Sequence, residues 1–143
     1  MTQVCGIDDA GKGPVIGSMV MAGVMVDEKD YSILKEIGVA DSKLLTAKKR
    51  EKLYEEIIKI AKNYKIVIIS VKEIDEAVGS ETTNLNWLEG EKVAEIINDL
   101  KPKKVIVDCP SPNIKAFSSF VKKKLKVATE LVCDHKAERF IPV

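Results

Sequence analysis

The stretch that decides the fold is Val4-Cys5-Gly6-Ile7-Asp8-Asp9-Ala10-Gly11-Lys12-Gly13, close to the amino terminus. An apolar run ends in the adjacent carboxylates Asp8 and Asp9 and passes directly into a glycine-rich turn that carries one lysine. Neighbouring carboxylates repel each other, so a fold that holds them at the end of a strand normally supplies a cation. The glycines leave backbone N–H groups accessible, which suits an anion. A divalent metal ion beside a phosphodiester would meet both needs, and the stretch therefore predicts phosphate chemistry.

The residues around this stretch predict an antiparallel hairpin. Residues 3–8 form the first strand, and residues 18–26, rich in Val and Met, form the second. The connection is too short for a parallel return, which needs a dozen or more residues.

The rest of the chain alternates helices with strands, so we expect one α/β domain over residues 1–143. Its predicted architecture is a mixed five-stranded sheet with an N-terminal antiparallel hairpin and flanking helices. The periodicity predicts helices at 31–37, at 47–62 with Thr46 as the N-cap, at 73–78 as a single turn, at 84–100 and at 113–124. It predicts a buried strand at 65–71 and further strands at 104–108 and 127–133.

Composition and charge narrow the class of protein. No apolar run approaches the ~20 residues of a membrane span, and the amino terminus is not typical of a signal peptide. We therefore expect a cytoplasmic protein whose three cysteines, Cys5, Cys109 and Cys133, are reduced and packed as small hydrophobes. The net charge of +1 conceals an asymmetry, because residues 101–126 hold eight lysines and one acid, whereas residues 72–99 hold two lysines and eight acids. Such basic segments either face a polyanion or form solvated helix faces.

One alternative for the glycine turn is a nucleotide-binding P-loop. Gly6, Gly11 and Lys12 fit its spacing. Gly13, however, stands where the P-loop needs a hydroxyl that holds Mg²⁺, and the residues that follow predict a strand rather than a helix. We therefore reject the P-loop.

Acidic side chains recur at the ends of predicted strands. Asp108 ends the strand at 104–108, and an acidic segment with Asp134 and Glu138 follows the last strand. Sites in open α/β sheets gather at the carboxyl ends of strands, and Mg²⁺ prefers oxygen ligands. The simpler alternative is that these aspartates initiate turns or cap helices.

Five segments in the same order resemble the ribonuclease HII family. The segment 7–17 is similar to the family's opening motif, I-D-E-A-G-R-G-P. The other four segments are Val39-Ala40-Asp41-Ser42-Lys43, Asn84-Leu85-Asn86, Val105-Ile106-Val107-Asp108 and His135-Lys136-Ala137-Glu138. Asp9 and Glu138 stand where the family has Glu and Asp respectively, and Lys12 replaces Arg.

The resemblance implies a ribonuclease H-like fold and a function. It implies an endonuclease that cuts RNA in RNA/DNA hybrids, or at ribonucleotides within duplex DNA, on the 5′ side of a ribonucleotide, leaving 5′-phosphomonoesters. The implied cofactor is Mg²⁺ or Mn²⁺, as a two-metal site. The implied metal-binding and catalytic residues are Asp8, Asp9, Asp108 and Glu138, and the implied substrate-binding residues are Gly11, Lys12, Gly13, Ser42 and Lys43. Without the resemblance, Ser42 and Lys43 fit a helix-entry turn equally well.

The sequence also allows a second function. Family members usually continue beyond the position that corresponds to Val143, so we expect this chain to lack their C-terminal region. It would then be a weak or inactive hybrid-binding core that needs a partner or self-associates through an unfinished C-terminal edge.

Overall fold

The computed structural model describes residues 3–10, 19–37, 46–79, 85–109 and 112–134, with only the backbone described at residues 9 and 10. Within these residues, one sheet contains the strands β1 (Gln3–Ala10), β2 (Met19–Asp27), β3 (Asn63–Ile69), β4 (Lys104–Asp108) and β5 (Glu130–Asp134). The helices are α1 (Tyr31–Glu36), α2 (Ala47–Ile60), α3 (Val71–Gly79), α4 (Leu85–Leu100) and α5 (Ile114–Lys124). A 3-10 turn at Glu28–Asp30 leads into α1.

The sheet is mixed, and its strand order is β3-β2-β1-β4-β5. β2 pairs antiparallel with both β1 and β3, while β4 pairs parallel with both β1 and β5. The predicted N-terminal hairpin and five-stranded α/β architecture are therefore confirmed. Since β1, β4 and β5 run in the same direction, their carboxyl ends lie at one end of the sheet and their amino ends at the other.

The two faces of the sheet are covered differently. One face, which we call the helical face, carries Cys5, Ile7 and Val107 and packs against buried residues of α4 and α5. On the second face, Val4 and Ile106 pack with Tyr31 of α1. The main core thus lies between the sheet and the α4–α5 pair, and successive residues of β1 and β4 alternate between the two faces.

The strand predicted at 65–71 is present as β3, at 63–69, but the prediction that it is buried was wrong. In the part of the chain that the structure describes, β3 lies at an edge of the sheet, and only alternate residues are covered: Val67 and Ile69 are buried, whereas Ile66 and Ile68 are 45% and 65% exposed. A continuous apolar run is typical of a strand covered on both faces, but it does not reveal that only one face is packed.

The helix boundaries agree with the predictions in most places. Thr46 caps α2 by accepting a hydrogen bond from the Lys49 N–H, as predicted. The single turn predicted at 73–78 is instead the nine-residue helix α3, because Ser70 caps its start. Gly38, the residue that follows the helix predicted at 31–37, lies outside the described residues.

All three cysteines are free thiols, as predicted. Burial raises the pKa of Cys5 to about 12, which keeps this thiol protonated at neutral pH. None of the described helices combines the length and low polarity needed to cross a bilayer.

Candidate metal site at the carboxyl ends of the strands

Three aspartates form a row across the end of the sheet. The register pairs Ile7 with Val107, so Asp8 and Asp108 occupy the next position on the adjacent strands β1 and β4. Asp108 is in turn paired with Asp134 on β5. Neighbouring strands lie about 4.8 Å apart, and residues in one register row share a face. The fold thus brings Asp8 next to a carboxylate that lies a hundred positions further along the sequence.

This aspartate row lies on the second face of the sheet. The residues one position earlier, Ile7, Val107 and Cys133, all contact the core on the helical face. Asp8 is exposed, and Asp108 and Asp134 are half-buried. A hydrogen bond of 2.9 Å from the Cys109 N–H to the Asp134 carbonyl fixes the ends of β4 and β5 to each other. The carboxylates are therefore held by backbone pairing at a solvent-accessible end of the sheet.

The row can supply oxygen ligands to a divalent cation. Carboxylate oxygens suit Mg²⁺ and Mn²⁺, and Mg²⁺ usually takes only one or two protein carboxylates together with water and substrate phosphate. Within the described ranges, no group of three or more Asp, Glu, His or Cys side chains is close enough to hold one ion. The described part of the site therefore offers neighbouring pairs of carboxylates along the row rather than a complete shell.

Several predicted site residues lie outside the residues that the structure describes. The side chain of Asp9 is not described, although its backbone continues β1 in the pairing of Asp9 with Met21. The other predicted residues outside the described ranges are Gly11, Lys12, Gly13, Ser42, Lys43 and Glu138. Of the four predicted carboxylates, the structure brings together Asp8 and Asp108.

Two thiols lie directly behind the row. Cys109 follows Asp108 and Cys133 precedes Asp134, so both point away from the aspartates into the helical face. Burial, reinforced by the neighbouring Cys109, raises the pKa of Cys133 to about 12. Both thiols therefore pack against the core, and the Cys133 thiol is neutral at neutral pH.

The environments of two further residues were not predicted from the sequence. Tyr31 packs beside Val4 and Ile106 on the second face, and burial together with the Glu28 charge raises its pKa to about 12. Glu89 is fully buried in α4. Its helical spacing from Val93 and Ile96 places it on the apolar side of that helix, and this signal was available in the sequence.

Comparison with known proteins assigns the chain to a family. The family model of ribonuclease HII matches residues 5–143. The chain belongs to the ribonuclease HII family. It is 41% identical over 143 residues to ribonuclease HII of Pyrococcus furiosus, an alignment that covers 99% of this chain and 62% of that protein. The chain therefore spans about three fifths of that relative's length.

Solved structures of ribonucleases H2 and HII share the fold. The ribonuclease H2 from Pyrococcus horikoshii OT3 superposes with a TM-score of 0.84 and 40% identity, covering 95% of this chain and 64% of that one. Ribonuclease HII of Archaeoglobus fulgidus, solved in a complex with PCNA, superposes with a TM-score of 0.85 and 36% identity, covering 99% of this chain and 66% of that one. The ribonuclease H-like fold expected from the motifs is thereby confirmed.

Proposed function

We propose that this chain is the metal-binding core of an endoribonuclease that cuts the RNA strand of RNA/DNA hybrids, or duplex DNA at ribonucleotides, on the 5′ side of a ribonucleotide. The observation that carries the proposal is the row of Asp8, Asp108 and Asp134 across β1, β4 and β5 in a member of the ribonuclease HII family. A cluster of carboxylates beside a basic glycine turn suits a substrate whose phosphate must be held next to a cation.

The proposed metal ligands are Asp8 and Asp108, with Asp9 and Glu138 completing the set. Their oxygen donors fit Mg²⁺ or Mn²⁺, and when bound such ions would activate water and neutralise charge on the scissile phosphate. Asp134 adds a third carboxylate at the β5 end of the row and would adjust the field around Asp108.

The remaining proposed residues bind the nucleic acid. The backbone of Gly11-Lys12-Gly13 would lie against the ribonucleotide, where the 2′-OH distinguishes RNA from DNA. Ser42 and Lys43 would contact phosphate. These groups orient the substrate, and the carboxylates supply the chemistry.

The test is cleavage of a duplex containing one ribonucleotide, with Mg²⁺ or Mn²⁺, by the parent, Asp8→Asn and Asp108→Asn. Each substitution keeps the side-chain size and removes one charge. We expect activity to fall by about 100-fold or more, because several kcal/mol of transition-state stabilisation depend on the metal. Asp75→Asn, at an exposed position on α3, is the matched control and should leave the rate unchanged. If either site variant, correctly folded, cut as fast as the parent, the assignment of that residue would be wrong.

The second candidate function is hybrid binding without cleavage. One observation favours a partner or self-association: β5 lies at an edge of the sheet in the described part of the chain, and such an edge can pair with another strand. Binding of a hybrid that weakens with salt, without product in either metal, would support this function. Sedimentation of the parent over a range of concentrations tests the predicted self-association, and a strict monomer would contradict it.

A further inference from the structure

Five lysines lie together at the end of the sheet opposite the aspartate row. Lys101 and Lys103 connect α4 to β4, and Lys123, Lys124 and Lys126 lie at the end of α5 and in the connection to β5. Since β4 and β5 are parallel neighbours, both connections meet at the amino ends of the strands. The four residue steps from Lys104 to Asp108 put this end about 13 Å from the aspartate row along β4. We call these five residues the amino-end lysines.

Hydrogen bonds fix the backbone that carries the amino-end lysines. The Asn98 side chain on α4 donates to the Lys124 carbonyl over 3.1 Å and accepts from the Lys126 N–H over 2.7 Å. The Glu130 N–H donates to the Lys103 carbonyl over 2.9 Å, which ties the two connections to each other. The backbone at these lysines is therefore held in place by hydrogen bonds.

Within the described part of the chain, the amino-end lysines form no ion pairs. All five amino-end lysines are exposed, and across the residues that the structure describes none has a carboxylate oxygen within 4.0 Å of its ammonium group. Of the nearby acids, Asp99 binds Lys65 at 2.8 Å, and Glu130, which is next to Lys104 in the β4–β5 register, has no lysine nitrogen within 4.0 Å among the described residues. A local positive potential results.

Lys101 occupies a position where glycine would fit better. Its φ of 53° lies in the left-handed region, and its N–H donates to the Ile97 carbonyl over 2.8 Å to close the end of α4. Glycine is usual at such helix ends because it has no Cβ to clash. A lysine here strains the backbone and adds one charge to the cluster, which indicates a role other than stability.

The chemistry of this surface favours phosphate over protein. Among the described residues, no large exposed hydrophobic side chain lies between 101 and 127, whereas protein interfaces usually contain an apolar centre. Duplex DNA offers one phosphate per about 1.7 Å, and lysines contact it independently of sequence. We propose that the amino-end lysines form a second binding surface for the phosphate backbone of duplex DNA, separate from the proposed catalytic site. Because the two surfaces lie at opposite ends of the sheet, this surface would hold a different duplex segment from the one being cut.

The test measures binding of a blunt DNA duplex without ribonucleotides, in EDTA, between about 50 and 200 mM salt. The variant Lys123→Gln/Lys124→Gln/Lys126→Gln should bind more weakly, and its slope of log K against log salt should fall by about one for each lysine that contacts phosphate. The control Lys35→Gln/Lys52→Gln/Lys72→Gln removes three exposed lysines from α1, α2 and α3. It should bind like the parent. Since metal and ribonucleotides are absent, failure of the proposed nuclease function would not affect the result.

A second variant separates binding from folding. Lys101→Gly relieves the left-handed strain, so its melting temperature should rise while its affinity for the duplex falls. Equal loss of affinity in the patch and control variants would overturn the proposal. So would an unchanged salt slope in the patch variant, an unchanged affinity in Lys101→Gly, or binding of polyglutamate or anionic vesicles as tight as that of DNA.

Discussion

At the scale of single residues, Gly23 determines how closely α4 approaches the sheet. A Cβ added at this position would contact the Ile96 Cγ2 and would lie 3.3 Å from the Cys5 Sγ. Gly23 pairs with Ile7 in β1, one position before Asp8, and Ile96 is fully buried. The close packing behind the first carboxylate therefore depends on the absence of a side chain.

We expect Gly23→Ala to lower the free energy of unfolding by about 1–3 kcal/mol, because a close-packed core cannot absorb an extra methyl group without displacement. Urea unfolding measures this effect. In an Ile96→Ala background the same substitution should be less destabilising, since the contacting methyl is absent. An equal cost in both backgrounds would show that the helix contact is not the cause.

At the scale of secondary structure elements, α3 begins with a reciprocal capping box. The Ser70 Oγ accepts from the Glu73 N–H over 3.2 Å, and the Glu73 Oε2 accepts from the Ser70 N–H over 3.0 Å. The Ser70 N–H and, next, Lys92 at 3.1 Å lower the pKa of Glu73. The cap satisfies the N–H groups of Ser70 and Glu73 at the start of α3, which continues for nine residues.

Removing either partner of this capping box should destabilise the protein, and the effect of removing Glu73 should depend on pH. Ser70→Ala should cost about 1 kcal/mol, as for other lost N-caps. Because folding lowers the pKa of Glu73, its contribution is complete above the unfolded value of about 4.3 and is lost as the pH falls through the folded value. The difference in unfolding free energy between the parent and Glu73→Gln should therefore shrink on acidification. Glu76→Gln, exposed on the same helix, controls for the loss of charge, and an equal pH effect there would contradict the capping explanation.

The elements also show how far the sequence predicts this molecule. β4 was predicted with its observed bounds because its Val/Ile run lies between lysines and a strand-ending aspartate. The hairpin followed from a connection too short for a crossover. That only one face of β3 is covered was not predictable, because it depends on the spatial order of strands that are distant in sequence. The candidate metal site shows the same limit. The sequence identifies Asp8 and Asp108 as candidate ligands, whereas the place of Asp134 in their row follows only from the register of β5.

At the scale of the whole molecule, the common direction of three strands places acidic and basic side chains at opposite ends of the sheet. The net charge of +1 suggests a nearly neutral surface. The parallel arrangement of β1, β4 and β5 nevertheless places aspartates at one end and lysines at the other. β1 lies in the middle of the sheet, between β2 and β4. Its pairing with both strands keeps the aspartate end and the lysine end of the sheet at a fixed distance from each other.

Native-state hydrogen exchange tests this central role of β1. Its Cys5 and Ile7, like Val105 and Val107 of β4, are almost fully buried in the main core. We expect the amides of these buried segments to exchange only through global unfolding, with a free energy equal to that from urea unfolding. Amides of β5, whose residues are half-buried or exposed, should exchange through smaller openings that depend weakly on urea. If β1 exchanged as fast as β5, the carboxylate row would rest on a locally unfolding strand, and the fixed geometry proposed for Asp8 and Asp108 would be wrong.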